Sequence, residues 1–143
     1  MTAATWGGTV ATWGDATLDL DSPARERREA VADAARTVLP SGFSVYASPP
    51  EIVTFPAVVV APRAPYRELL TFTRESVRIA VLVIVPRAAG PDALDLVDAT
   101  LDLVKPAVAS VEAVTEVGDV SSVVLASYGG TDCIVASIDL TVS

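Results

Sequence analysis

Apolar residues recur at helical spacing in two separate parts of the chain. The first stripe begins after Asp21-Ser22-Pro23 and consists of Ala30, Val31, Ala34, Ala35, Val38 and Leu39. Ser22 is a favourable N-cap, and Pro23 fits the first helical position because its missing N–H would be unpaired there anyway. Pro40-Ser41-Gly42 ends the pattern. We therefore predict a helix whose small side chains pack closely against a sheet.

The second helical stripe follows Pro91-Asp92. It consists of Leu94, Val97, Leu101, Val104 and Val108. Pro106 lacks the N–H that an inner helical turn requires, so we expect it to stop or kink the helix near Lys105. A neighbouring polar face carries Asp92, Asp95, Asp98 and Asp102.

Strand patterns occupy the segment between these helices. Residues 43–47, 56–61, 66–73 and 75–85 each read as a strand, and Pro62 and Pro65 are expected to bracket a turn. The last two strands are expected to form a hairpin joined near Thr73-Arg74. Residues 75–85 end with apolar side chains on both faces, including Leu82 and Ile84 on the second face. A strand of this kind is covered on both sides, by its own chain or by a neighbour.

The C-terminal segment predicts further strands. Residues 111–117 and 120–128 flank an expected Gly118-Asp119 turn, and Gly129-Gly130 predicts a tight hairpin into residues 133–143. That last stretch alternates cleanly, so its two faces can be assigned. The first face holds Ile134, Ala136, Ile138, Leu140 and Val142, and the other holds Ser137, Asp139 and Thr141.

Helices at two separate places beside hairpin-linked strands predict an α+β fold. We expect a mainly antiparallel sheet with both helices packed on one face, formed by residues 23–143 as a single domain. Residues 1–22 have no helical period and predict an extended N-terminal arm. A second small sheet or a partner subunit would then cover Leu82 and Ile84.

The arm contains an internal repeat. The stretch ATWGGTVATWGD holds ATWG twice and carries both tryptophans of the protein, Trp6 and Trp13. Two copies are too few for a repeat architecture. The repeat is either incidental in a flexible tail or a pair of interface anchors, since tryptophan is frequent among residues that dominate binding energy.

Charge divides the chain into two unlike halves. Residues 1–87 carry nine acidic residues and nine arginines, whereas residues 88–143 carry nine acidic residues and one base, Lys105. The net charge of −8 argues against general nucleic-acid binding, which needs a basic surface. The division indicates either two differently solvated faces or complementary surfaces between subunits.

Candidate chemistry is sparse. The chain has no histidine, so the commonest general base and metal ligand are missing, and its one cysteine, Cys133, lies in an apolar strand pattern. We predict no catalytic, cofactor-binding or metal-binding residues and no enzyme activity. The longest apolar run, residues 79–85, is too short to span a bilayer, and the N-terminus does not resemble a signal peptide.

Four stretches together resemble the tail terminator family of long-tailed bacteriophages. They are LPSGFSVYASPP, which ends the first helix, the strand FPAVVVAP, the long strand ESVRIAVLVIVPR with the acidic helix PDALDLVDATLDLVKP, and the closing hairpin VVLASYGGTDCIVASIDLTVS. The resemblance covers residues 23–143 and is one of pattern. Residues 1–22 depart from it.

The resemblance implies a structural virion protein in the tail or neck, made in the host cytoplasm. Such a subunit assembles into a homo-oligomeric ring, usually a hexamer, that caps the tail tube and joins it to the head connector protein. DNA passes through the lumen without specific binding, and an acidic lumen wall would repel it. The predicted contacts with partners are Trp6, Trp13, Arg63, Tyr66, Arg67, Phe72 and Arg74.

Other functions remain open at this point. The protein could be a different head–tail connector or tail completion protein. It could also be a small α+β ligand-binding or regulatory domain, or an enzyme that uses Asp or Glu alone.

Overall fold

The computed structural model describes residues 5–7, 10–20, 22–69, 75–87, 92–120 and 123–143. The expected hairpin connection at Thr73-Arg74 lies outside these ranges. The elements run along the chain as follows: β1 (Thr5–Gly7), β2 (Val10–Trp13), β3 (Ala16–Asp19), α1 (Pro23–Val38), β4 (Ser44–Tyr46), β5 (Ala57–Leu69), β6 (Glu75–Pro86), α2 (Ala93–Ala109), β7 (Val114–Val120), β8 (Val124–Tyr128) and β9 (Thr131–Val142).

A six-stranded sheet organises the domain. Its order is β4-β5-β6-β9-β7, and β8 also pairs with β9, so that β7 and β8 follow each other along the same side of β9. The β4–β5 pair is parallel, and the other pairs of this sheet are antiparallel. Both helices pack on one face of the sheet. The predicted α+β fold is therefore confirmed.

The main core lies between this sheet and the helices. The alternation predicted for residues 133–143 is confirmed, since Ile138 and Leu140 of β9 face the helices and are buried. Ile79 and Val81 of the neighbouring strand β6 join the same core. Burial of these branched side chains is the main driving force for the fold.

Helix α1 begins as the sequence predicts. The Ser22 side-chain oxygen accepts a hydrogen bond from the Arg25 backbone N–H at 3.1 Å, which caps the first turn. The predicted stripe is shifted at one position, because Ala32 is buried whereas Val38 is exposed. Leu39, the last residue of the predicted stripe, packs against the main core, so only Val38 departs to solvent.

Helix α2 corrects two predictions. It continues through Pro106 to Ala109 and does not stop near Lys105. Pro106 and Asp102 are both exposed, so water can hydrate the Asp102 carbonyl that the missing N–H of Pro106 leaves unpaired. Leu94, predicted to face the core, is exposed, and Ala93 takes the buried position in the first turn.

Strand β5 replaces two predicted strands. The sequence predicts a turn between residues 56–61 and 66–73, but the chain runs as one strand from Ala57 to Leu69. Its pairing with β6 shifts register between Pro62 and Arg67, which marks a bulge. A bulge at the edge of a sheet tolerates proline, since no ladder donor is required there.

Gly118-Asp119 also differs from its prediction. These residues lie within β7 and do not form a turn. A Cβ atom added at Gly118 would lie 3.3 Å from both the Cβ and the carbonyl oxygen of Asp139, so the two backbones approach closely here. Glycine allows that close approach because it has no side chain. The Gly129-Gly130 hairpin turn is confirmed, with φ of 57° and 83°, between the paired residues Tyr128 and Thr131.

The described part of the N-terminal arm contains three short strands. Strands β1, β2 and β3 form a separate three-stranded antiparallel sheet in the order β1-β2-β3. Each ATWG copy contributes a strand, and Gly14 takes a φ of 60° in the β2–β3 turn, a conformation that glycine adopts without strain. The prediction of an extended arm did not include this pairing between its short strands.

Candidate interaction surfaces

The two halves of the chain, which differ in net charge, lie on opposite sides of the six-stranded sheet. The strands of the neutral half, β4, β5 and β6, lie on one side, and the strands of the acidic half, β9, β7 and β8, lie on the other. Helix α1 contacts β4, β5 and β6, whereas α2 contacts β6, β9 and β7. One flank of the domain therefore bears the described arginines together with acidic residues, and the opposite flank bears the −8 net charge of residues 88–143.

The aspartates of α2 form an exposed acidic face. Asp92, Asp95, Asp98 and Asp102 are all exposed to solvent. Within the described ranges, no three acidic or cysteine side chains come together as a metal site would need. This helix face is therefore a solvated acidic surface on the outer side of the domain.

Arg63, a predicted contact residue, pairs inside its own domain. Its guanidinium lies 2.8 Å from the Asp139 carboxylate. The pair spans β6, because Ala80 stands opposite Asp139 on one side and opposite Ala61 on the other. The small side chain of Ala80 lets the long arginine cross the strand on the face away from the helices. Arg63 thus fixes the position of Asp139 and is only partly available to a partner.

Arg67 and Tyr66 are predicted contacts on the same strand, but their side chains contact different parts of the domain. The Arg67 guanidinium donates a hydrogen bond to the Glu75 carboxylate across the β5–β6 pair. Tyr66 packs against the main core on the helix side. Arg67 is therefore held by a partner within its own domain, and Tyr66 belongs to the core on the helix side.

The remaining predicted contacts can be placed only in part. Trp6 and Trp13 belong to β1 and β2, and their side chains lie outside the described residues. The register pairs Trp6 with Ala11 and Ala11 with Leu18, which puts positions 6, 13 and 18 on one face of the N-terminal sheet. Phe72 and Arg74 lie outside the described residues.

The second face of the six-stranded sheet is covered by the chain itself. Val59, Ile84, Cys133 and Val135 form a smaller buried cluster there, on which Phe55 and Tyr128 pack. The Phe55 and Tyr128 rings meet edge to face with centroids 6.3 Å apart. This cover comes from the segment before β5 and from the β8–β9 hairpin. The second apolar face of β6 is therefore buried by the chain itself.

A cavity of about 320 Å³ remains beside this cluster. Its walls are mostly apolar, and its lining residues are Pro49, Pro50, Glu51, Ile52, Val53, Phe55, Val59, Leu82, Ile84, Tyr128, Gly129 and Thr131. The sequence indicated Pro49 and Pro50 only as residues that end a strand. In the structure these two prolines begin residues 49–53, which form one wall of the cavity.

A hydrogen bond anchors the segment that forms one wall of the cavity. The Thr54 backbone N–H donates to the Tyr46 hydroxyl oxygen at 3.0 Å, and this bond lowers the pKa of Tyr46. Beneath the cover, Cys133 is fully buried, and burial, followed by the nearby Asp132 charge, raises the pKa of its thiol. A protonated, buried thiol is a poor nucleophile, as the apolar pattern around Cys133 predicts.

Comparison with known proteins adds no family assignment. No protein-family model matches the chain, and no curated protein matches it. Among the described helices, neither is long and apolar enough to cross a membrane.

Proposed function

We propose that this chain is a ring-forming tail terminator of a long-tailed bacteriophage, which caps the tail tube and joins it to the head connector. The division of charge across the sheet is the observation that supports the proposal most strongly. A ring built head to tail needs two different surfaces that complement each other on every subunit. The neutral flank with its arginines and the acidic flank supply such a pair.

The α+β fold supports the same proposal, since it is the fold that the resemblance of residues 23–143 implies. The exposed aspartates of α2 would suit a surface past which DNA slides without binding, because like charges repel. In this proposal the protein has no catalytic role. Its partners are other copies of itself, the tail tube protein and the head connector protein.

Mass measurement beside tail tubes tests the proposal. The purified protein is mixed with tail tubes and examined by sedimentation and by electron microscopy of the tube ends. We expect rings at one end of each tube, with a mass close to that of a hexamer. A protein that sediments as a monomer in the presence of tubes, and leaves both tube ends bare, would contradict the proposal.

Charge reversal on the acidic flank gives a sharper variant of this experiment. Asp98→Lys with Asp102→Lys changes two exposed positions on α2 and should weaken ring formation through lost complementarity. The matched control, Glu26→Lys with Glu51→Lys, changes two exposed positions in the neutral half of the chain, where added positive charge does not oppose the proposed contact. Equal loss of rings in both variants would show that charge complementarity is not what assembles them.

The cavity supports a second candidate, a small ligand-binding domain. A volume of about 320 Å³ with apolar walls and few polar groups lies at the lower end of the range for small-molecule sites. A panel of small apolar compounds, screened by thermal unfolding, tests this candidate, because a ligand that binds only the folded protein raises the melting temperature. Loss of that rise in Leu82→Lys would locate the binding at the cavity.

A further inference from the structure

The free strand edges of the molecule are not equally protected against pairing with another strand. Strand β4 has only three residues, and the outer edge of β5 beyond it carries Pro62 and Pro65, which lack backbone donors. Strand β7 shifts register twice and carries Glu116 and Asp119. Short length, proline, bulges and charge are the features by which proteins protect their edges.

Strand β8 has none of these protections. Its five residues pair with β9 in regular antiparallel register, and residues 123–131 include no charged side chain. Val123, Val124 and Leu125 are 43%, 51% and 66% exposed. Among the described elements, β9 is the principal contact of β8, so its outer edge faces solvent. A regular, uncharged and apolar edge is a surface to which another strand can be added.

The hairpin geometry identifies which backbone groups face outward. The two-residue Gly129-Gly130 turn makes Tyr128 and Thr131 a hydrogen-bonded pair, and bonded and non-bonded pairs alternate from there. Ala126 and Val124 therefore bond to β9. Leu125 and Ser127 direct their N–H and C=O groups to the free edge, and Val123 continues that alternation.

We propose that β8 pairs antiparallel with β8 of a second copy, with the two Leu125 residues directly opposite each other. This register also places Val123 opposite Ser127 of the second copy, so all three outward-facing residues are used. Each such pair exchanges two N–H···O=C bonds, which gives about six new hydrogen bonds. The occupant is a second β8 because the other described edges of the six-stranded sheet are protected, while β8 is complementary to itself.

Charge gives this contact a distinctive salt dependence. The pairing brings two acidic flanks together, with Asp132 next to Ser127 in each copy. Salt screens repulsion between charges farther apart than about 8 Å at physiological ionic strength. Added salt therefore strengthens this pair, whereas it weakens a ring held by opposite charges. The proposed contact between two β8 strands does not depend on the proposed function in a phage tail.

Cysteine cross-linking of the full-length protein tests the register. In Leu125→Cys the two new thiols face each other across the pair, at a Cα separation of about 5.5 Å that a disulfide spans. The two S–H bonds break as the S–S bond forms, and dissolved oxygen takes up the two electrons and two protons to give hydrogen peroxide. We expect a cross-linked dimer for Leu125→Cys. Cys133 is buried and does not compete.

Two matched variants make this result specific. In Ser127→Cys the thiols are separated by about four strand residues, roughly 14 Å, so no dimer should form. Leu103→Cys places a thiol at another exposed leucine, 47% exposed on α2, and reports random collisions. Cross-linking of Leu125→Cys no faster than Leu103→Cys would overturn the proposal, as would equal cross-linking of Ser127→Cys.

Sedimentation equilibrium provides a measurement that does not depend on cysteine. Leu125→Lys places a charge at the centre of the edge and should raise the dissociation constant of the dimer about tenfold or more. Leu103→Lys should leave it unchanged, and circular dichroism checks that both variants are folded. A dimer that survives Leu125→Lys would refute the β8 pair, whether or not the protein forms rings on tail tubes.

Discussion

The ion pair between Arg63 and Asp139 can be measured directly, and its strength decides how the predicted contact residue acts. We expect that replacing either residue by alanine lowers the free energy of unfolding, and that the double variant costs less than the two single changes combined. That difference is the coupling energy of the pair.

The structure sets the size of the effect. The charged atoms lie 2.8 Å apart, but the two side chains remain 24% and 41% exposed, so water screens much of their attraction. Pairs with this degree of exposure contribute about 0.5–1 kcal/mol. The Asp33–Arg36 pair on α1 is the matched control, because its side chains are 69% and 44% exposed. Its coupling should be smaller, about 0.2–0.5 kcal/mol.

Urea unfolding of the four proteins in each cycle, followed by circular dichroism, supplies the energies. The measurement is made at a protein concentration where the chain is monomeric, in low salt and again in about 1 M salt. Both couplings should shrink in high salt, since the Debye length falls to about 3 Å. A coupling for Arg63 and Asp139 within error of zero in low salt would refute the assignment. Arg63 would then be free to serve a partner instead.

Three further predictions concern stability and reactivity. Gly118→Ala should be about 1 kcal/mol more destabilising than Gly42→Ala in urea unfolding. A Cβ atom at position 118 meets the Asp139 backbone, whereas one at position 42 meets no atom within 4 Å, so equal costs would contradict this explanation. Ile84→Ala should lower the free energy of unfolding of the monomer by about 2–4 kcal/mol, because the chain itself buries this side chain. A negligible change would mean that a partner chain is needed to bury Ile84. Cys133 should react with thiol reagents only as the protein unfolds, and rapid labelling of the native protein would contradict its burial. Compared with Cys133→Ala, the protein should lose free energy of unfolding as pH rises above about 8.5, because the folded state holds the thiol protonated.

The helices and the closing hairpin could be predicted because each depends on local signals. The Ser22 cap needs only a hydroxyl next to the first turn, and Gly129-Gly130 needs only the positive φ that glycine adopts freely. The alternation along β9 has twelve residues in which to repeat. Such signals hold wherever the segment lies in the fold.

The errors fall where tertiary contacts override local preference. Pro62 and Pro65 favour a turn locally, yet pairing with β6 on one side carries β5 past them through a bulge. Gly118 has the local character of a turn residue, but its backbone is held against Asp139 in the neighbouring strand. Pro106 remains helical because its exposed position leaves the lost hydrogen bond to water. Each outcome depends on surroundings that the local sequence does not specify.

The N-terminal sheet escaped prediction for a different reason. Its strands have three or four residues, too few for an alternating pattern to stand out. The repeat itself was the available signal, because Ala-Thr-Trp-Gly combines strand-forming residues with a turn glycine and occurs twice. The two ATWG copies pair antiparallel with each other, and Thr5 of the first stands opposite Thr12 of the second.

The division of charge and the β8 edge place opposite demands on the same flank of the molecule. A head-to-tail ring brings the acidic flank of one copy to the neutral flank of the next, so opposite charges attract and salt weakens the contact. The β8 pair brings two acidic flanks together, so salt strengthens it. Both contacts use the side of the sheet formed by β9, β7 and β8. A copy paired through β8 would therefore have its acidic flank partly occupied, and ionic strength would shift the protein between the two assemblies.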